Sequence, residues 1–286
     1  MRTPRPLWTW GPLRTARALW GATHPGPAVV VTVLSLALGL AAGLEAWRVV
    51  VLVAAVFFGQ LSVGLSNDAL DLYRDAAVGR ADKPLVRGDT RRQTAWIAAF
   101  VCVVVSLGLS LVLGLGMLIA HAVALASAWA YNGLLKATPL SIAPFLVSFG
   151  LFPSLPTLSA PDPQPAALWA TIAGAALGAA VHLTNVLPDL DDDRRTGIRG
   201  LPHRLGAPLS VGVAVAGILA AAVAVLLGGG GAPAGWVFFA LVVAIAVGVA
   251  VRMRRRGPDR TGFRLAMAAA LVLAVQLVVT SAALTA

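Results

Sequence analysis

Long apolar runs separated by short polar connections dominate the chain. Runs of about the length that crosses ~30 Å of hydrocarbon as a helix fall at roughly 27–44, 49–70, 94–113, 116–135, 140–158, 166–188, 208–228, 233–251 and 263–285. The pattern predicts an all-α integral membrane protein with nine transmembrane helices. Each run is rich in Ala, Gly, Val and Leu, and small residues let helices approach closely where lipid gives no hydrophobic drive. Composition agrees: 58% of the residues are hydrophobic and only 12% charged, against ~25% in soluble domains.

Charge then orients the spans. With the N-terminus in the cytoplasm, the inside segments are 1–26, 71–93, 136–139, 189–207 and 252–262. Of the 22 Lys and Arg residues only Arg48 falls outside, with Arg264 at an inner helix end, as the positive-inside rule requires. The net charge of +10 therefore reports topology, and nucleic acid is not an expected partner. The expected location is a bacterial-type cell membrane, with the active face cytoplasmic. Residues 1–26 lack an uninterrupted apolar stretch and do not read as a secretory signal. Trp8, Trp10 and Trp20 beside Arg14 and Arg17 predict an interfacial segment, and residues 27–286 one transmembrane domain. The single cysteine, Cys102, lies inside an apolar run, so no intrachain disulfide or cysteine-based zinc site is possible. Nothing points to an obligate protein partner.

Nine of the twelve acidic residues lie in or directly beside two segments, SNDALDLYRDAAVGRADKPLVRG (with Asp89 just after it) and TNVLPDLDDDRRTGIRGLPHRLG. An offset of 118 maps Asn67, Asp71 and Asp75 onto Asn185, Asp189 and Asp193, and Gly79, Pro84 and Gly88 onto Gly197, Pro202 and Gly206. Such a duplication implies two pseudo-repeated halves, with motif 1 at 67–88 and motif 2 at 185–206. Residues at i, i+4 and i+8 share a helix face, so each motif predicts a column of one carboxamide and two carboxylates at a span's cytoplasmic end. Carboxylates at that depth face the bundle interior and bind cations, and an all-oxygen set suits Mg²⁺, Ca²⁺ or Mn²⁺. Mg²⁺ takes one or two carboxylates plus substrate phosphates. Asn67, Asp71, Asp75, Asn185, Asp189 and Asp193 are thus the candidate metal ligands, with a diphosphate bridged between the columns.

Basic residues flank both columns: Arg80, Lys83 and Arg87 after the first, Arg194, Arg195, Arg199 and Arg204 after the second. They are candidates to stabilise a departing diphosphate, Lys83 and Arg87 above all, since the Gly79-to-Gly88 loop can fold over the site. Tyr131, Asn132 and Lys136 form a further inner segment, and Lys136 is the only charge between Gln93 and Asp162. His182, three residues before Asn185, reads as a packed histidine.

These motifs resemble the UbiA superfamily of intramembrane prenyltransferases, over nearly the whole chain. The NDxxDxxxD motif stands as Asn67, Asp68, Asp71 and Asp75, the DxxxD motif as Asp189 and Asp193. ADKPLVRG is similar to the family's D-(R/K)-P-(I/L) loop, HRLG ends a second shared stretch, and Tyr131 and Lys136 match a tyrosine–lysine pair. The resemblance implies cytoplasmic cap loops over a central apolar chamber and Mg²⁺-dependent ionisation of an isoprenyl diphosphate. The prenyl group then passes to a small acceptor, often aromatic. A membrane terpene cyclase on the same fold is the alternative. A cation channel or transporter fits poorly, because the middle of every span is uncharged. Two departures stand out: Val186 where an Asp is common, and Pro188, which should break the motif 2 helix. Asp191 and Asp192 are extra carboxylates, with Asp192 a substitute ligand.

Overall fold

A computed structural model describes residues 11–285; Trp8 and Trp10 of the expected interfacial segment lie outside the described residues. Among these residues the structure is helical without strands. The helices are α1 (Pro12–Ala22), α2 (Pro25–Ala41), α3 (Ala46–Ala77), α4 (Arg92–Leu113), α5 (Leu115–Ala130), α6 (Ala143–Leu151), α7 (Ser154–Thr157), α8 (Leu168–Val186), α9 (Leu190–Arg195), α10 (Leu201–Gly228), α11 (Pro233–Arg256) and α12 (Arg260–Thr280).

Eight helical segments are long and apolar enough to cross a membrane, and the α1–α2 pair, bent by 73°, is the ninth candidate. The ninth span of the sequence reading is the short α2 at 17 residues, the lower limit for spanning. The expected span at 140–158 is not one regular helix. It is a 3₁₀ turn (Pro139–Ile142), then α6, then α7, because Pro144, Pro153 and Pro156 each remove a backbone donor.

Among the described residues, these eight segments and α2 close into a ring. In order around it, α2 packs on α3, α3 on α4, α4 on α5, α5 on α6, α6 on α8, α8 on α10, α10 on α11 and α11 on α12, and α12 returns to α2. The duplication is visible in this order, since α2–α5 correspond to α6, α8, α10 and α11. Matching helices start 118 residues apart at Pro25 and Ala143, and again at Leu115 and Pro233.

Close approach depends on small side chains and on hydroxyls reaching neighbouring carbonyls. At Gly178 a Cβ would sit 2.5 Å from the Phe145 carbonyl oxygen, so only glycine lets α6 lie this near α8. Ser106 Oγ donates to the Ala55 carbonyl at 2.8 Å, tying α4 to α3, and Ser148 Oγ donates to that of Ala124 at 2.9 Å, tying α6 to α5.

Candidate active site

The ring encloses a cavity of about 430 Å³. Its mouth lies between the C-terminal ends of α3 and α8, and its body is walled by apolar side chains of α2, α3, α5, α6 and α12. Asn67, Asp68, Asp71, Asp75, Arg80, Lys83, Tyr131, Lys136, Asn185, Asp189, Asp192 and Asp193 all line it. The two segments, more than a hundred residues apart in sequence, therefore meet at one mouth.

The first column sits on unbroken helix. α3 runs on past its apolar stretch to Ala77, so Asp68, Asp71 and Asp75 are at 2%, 5% and 6% exposure. Buried carboxylates need cations, and each has one. Lys83 Nζ lies 2.7 Å from Asp68 Oδ1 and 2.9 Å from Asp75 Oδ2, and Lys136 Nζ lies 2.6 Å from Asp71 Oδ2. Arg74 also pairs with Asp71, and His24 Nε2 is 2.9 Å from Asp68 Oδ1. Burial opposes the Lys83 ammonium, but the charges of Asp68 and Asp75 outweigh it and raise the lysine above its ordinary pKa.

Lys136 reaches Asp71 because α5 ends in a π-helical turn over Tyr131–Leu135, a distortion common at functional sites. The same turn buries Asn132, whose Nδ2 donates to the Val63 carbonyl and Ser66 Oγ, each at 3.0 Å. Asn132 Oδ1 accepts from Asn67 Nδ2 at 3.1 Å. With its amide hydrogens turned to Asn132, Asn67 keeps its own Oδ1 available to a ligand.

The second column is broken, as Pro188 foretells. α8 ends at Val186, residues Leu187–Asp189 form a 3₁₀ turn, and α9 begins at Leu190. The side chains of Asp189 and Asp193 are 34% and 16% exposed. The partners of Asp189 are guanidiniums, Arg80 at 4.0 Å and Arg260 at 3.6 Å. Arg80 also forms two hydrogen bonds to Asp82, which hold the arginine above and the Asp82 carboxyl below their ordinary pKa values.

After each column the backbone turns alike. The Arg80 amide donates to the Asp75 carbonyl and the Ile198 amide to that of Asp193, both at 2.9 Å. Gly79 and Gly197 take positive φ of 72° and 84°, and Gly88 and Gly206 of 72° and 74°. Such positive φ favours glycine, and it recurs at the 118-residue offset.

Five of the expected diphosphate contacts, Arg87, Arg194, Arg195, Arg199 and Arg204, do not line the cavity. Arg87 bonds Asp89 and the carbonyls of Ala81 and Asp82, stitching the cap loop together. Arg194 pairs outward with Asp191, and Arg199 is exposed on the loop after α9. The Pro188 break turns that segment from the mouth. Conversely Arg260, at the first turn of α12, lines the cavity; in sequence it belongs to the basic run RMRRRGPDRTGFR, which topology alone explains. His24 also entered through the fold. His182 is packed, as expected: it is fully buried, with Nε2 3.1 Å from Ser141 Oγ.

The donor set at the mouth is oxygen-only and fits a hard divalent cation. Asp75 Oδ2 is buried and held by the Lys83 ammonium at 2.9 Å, so a metal there would have to displace that cation. Among the described residues, however, no three acidic, histidine or cysteine side chains converge into a metal cage. The six ligands read from the columns are thus not a preassembled shell, because lysines and arginines hold the carboxylates one by one. This suits an ion that takes much of its coordination from phosphate and water.

The model of the UbiA prenyltransferase family matches residues 28–284. No curated protein matches the chain. Among solved structures, the chain is similar to a UbiA homologue from Aeropyrum pernix K1, with a TM-score of 0.72, 19% identity, and coverage of 93% of this chain and 98% of that one. A UbiA homologue from Archaeoglobus fulgidus, bound to GPP and Mg²⁺, gives 0.70 at 15% identity, covering 92% and 99%. A structure of digeranylgeranylglyceryl phosphate synthase gives 0.67 at 13% identity, covering 93% and 98%.

Proposed function

Since the chain belongs to the UbiA prenyltransferase family, we propose that it ionises an isoprenyl diphosphate with Mg²⁺ and transfers the prenyl group to a small acceptor, with the active mouth on the cytoplasmic side of the membrane. One observation carries this reading: two carboxylate columns from the two halves face each other across the mouth of a single apolar cavity. The Archaeoglobus homologue with GPP and Mg²⁺ bound supports the donor and the ion.

Asn67, Asp71 and Asp75 on one side, and Asn185, Asp189 and Asp193 on the other, would hold Mg²⁺. When bound, the ion neutralises the diphosphate and favours its departure. The chain supplies the remaining positive charge. Lys83, Lys136, Arg74, Arg80 and Arg260 each sit on a carboxylate at the mouth, within reach of phosphate oxygens. Below them the walls exclude water, which strengthens every charge interaction at the mouth and protects the allylic cation. The C1–O bond breaks with its electron pair leaving on the diphosphate. A carbon of the acceptor then bonds to C1, and the proton displaced from it passes to the released diphosphate.

The test is to incubate the purified chain with allylic diphosphates of several lengths, with and without aromatic acceptors, and to identify products by mass spectrometry. Prenylated acceptor is expected, and its formation should cease on exhaustive chelation. Product formation that survives chelation overturns the metal-bridged reading, and cyclised hydrocarbon without acceptor adduct replaces transferase with cyclase. For orientation, Gly79→Cys and Gln164→Cys in a Cys102→Ser background should label from opposite sides of the membrane; labelling from one side rejects the topology.

A further inference from the structure

One polar side chain deep in the chamber has no role in the chemistry above. Gln60 lies on α3 seven residues before Asn67, which is ~10 Å further into the membrane at 1.5 Å per residue, and on the same helix face. It lines the cavity. The same cavity wall includes Val31, Val56, Val63 and Phe149, and no group among the described residues hydrogen-bonds the Gln60 carboxamide. Gln60 is partly exposed, so its carboxamide is open to the cavity rather than sealed in packing, where a ligand can take up its donors and acceptor.

The duplication sharpens this. The counterpart of Gln60 at the 118-residue offset is Gly178, pressed against α6 with no room for a side chain. Gln60 is therefore not a remnant of the repeat's packing. It stands where the first half opens to form the chamber wall and the second half is closed.

Charge also constrains what could lie beside it. Among the described residues, no Lys, Arg, Asp or Glu lines the cavity deeper than Asn67 and Asn185, and each lining Lys or Arg at the mouth already sits on a carboxylate. A diphosphate competes for those same cations. An acceptor carrying its own carboxylate would find no unpaired cation at Gln60's depth and would repel the mouth.

We propose that Gln60 is the acceptor-recognition residue, its carboxamide hydrogen-bonding a neutral hydroxyl or carbonyl across the ring of an uncharged acceptor that sits beneath the diphosphate. This rests on the prenyltransferase reading. A single aromatic ring places its far substituent several ångströms below the carbon that meets C1, in the direction of Gln60.

Two matched probes test it, hydroquinone and para-hydroxybenzoate, with geranyl diphosphate as donor and the full chain in lipid nanodiscs. The expected result is a kcat/KM for hydroquinone at least tenfold above that for para-hydroxybenzoate. Gln60→Leu should raise the KM for hydroquinone about tenfold, the scale of one lost hydrogen bond to a buried partner, with the KM for geranyl diphosphate within twofold of wild type. Gln60→Met, closer in shape, should do the same and guards against misfolding of the leucine variant. Preference for para-hydroxybenzoate, or an unchanged hydroquinone KM in a folded variant, overturns the assignment while leaving prenyl transfer intact. If the wild type prenylates neither probe nor any other acceptor, the transferase reading itself has failed and the assignment falls with it.

Discussion

The two halves of the molecule carry the same motif on different supports. In the first, Asp71 and Asp75 ride one unbroken helix, are nearly buried, and are matched with lysines at 2.6 and 2.9 Å. In the second, Pro188 splits the helix, Asp189 is a third exposed, and its arginines stand 3.6 and 4.0 Å away. Motif 1 is therefore a prebuilt shelf, and motif 2 an adjustable arm. The difference traces to two substitutions within the repeat. Leu70 becomes Pro188, which removes the backbone donor that would continue α8, and Asp68 becomes Val186, which removes the carboxylate equivalent to the one Lys83 holds. Duplication supplied the chemistry twice, and the two halves differ in how closely the fold holds it.

If both halves grip one diphosphate, the comparison should vanish in turnover. Asp71→Ala and Asp189→Ala are each expected to cost on the order of 10²-fold, comparable with losing a major electrostatic stabiliser. In the double variant the second loss should be much smaller than its solo effect, since groups acting as a unit are non-additive. Steady-state product formation decides it. Losses that multiply would mean the columns do not share a substrate.

In stability the halves should diverge. Lys83→Met strands Asp68 and Asp75 as buried carboxylates with weakened compensation, which costs about 3 kcal/mol. Arg260→Met removes a half-exposed partner of a half-exposed carboxylate, for less than about 1 kcal/mol. Thermal unfolding in detergent, without metal or substrate, should rank them in that order. The pH dependence has a definite sign: the Lys83 pKa is raised by folding, so its contribution is complete below the ordinary lysine value and disappears only as pH climbs through the raised one. Equal losses from the two variants would erase the distinction between shelf and arm.

The fold and half of this contrast were legible in the sequence. Apolar runs and charge placement located the helices, the 118-residue offset exposed the duplication, and Pro188 announced the broken column. What stayed hidden depends on helices meeting. Arg260 is indistinguishable in sequence from its neighbours Arg254, Arg255 and Arg256, until α12 packs against α8 and brings it to Asp189. Arg194 and Arg199 read as site residues because they follow the carboxylates, whereas the break in the helix turns them outward. Gln60 passed as one polar residue within a span, since nothing local tells a cavity wall from a lipid-facing or packed position.

A modest effect is expected where the halves should again agree. Gly79 and Gly197 close their columns with φ of 72° and 84°, and a Cβ at either position would meet no atom within 4 Å. Replacing them with alanine therefore changes no contact, and the cost is the left-handed backbone alone, about 1 kcal/mol for a residue with a Cβ. Gly79→Ala and Gly197→Ala should lower unfolding stability by similar amounts, even though one turn follows the rigid column and the other the broken one. Both turns carry the same hydrogen bond at 2.9 Å, from Arg80 to Asp75 and from Ile198 to Asp193, so both resist relaxing to another conformation. A Gly197→Ala loss well below that of Gly79→Ala would show that the second turn escapes the strain by rearranging, which would extend the mobility of motif 2 beyond Pro188 into its closing turn. Equal losses would confine it to the segment between Val186 and Asp193, the part of the repeat that changed.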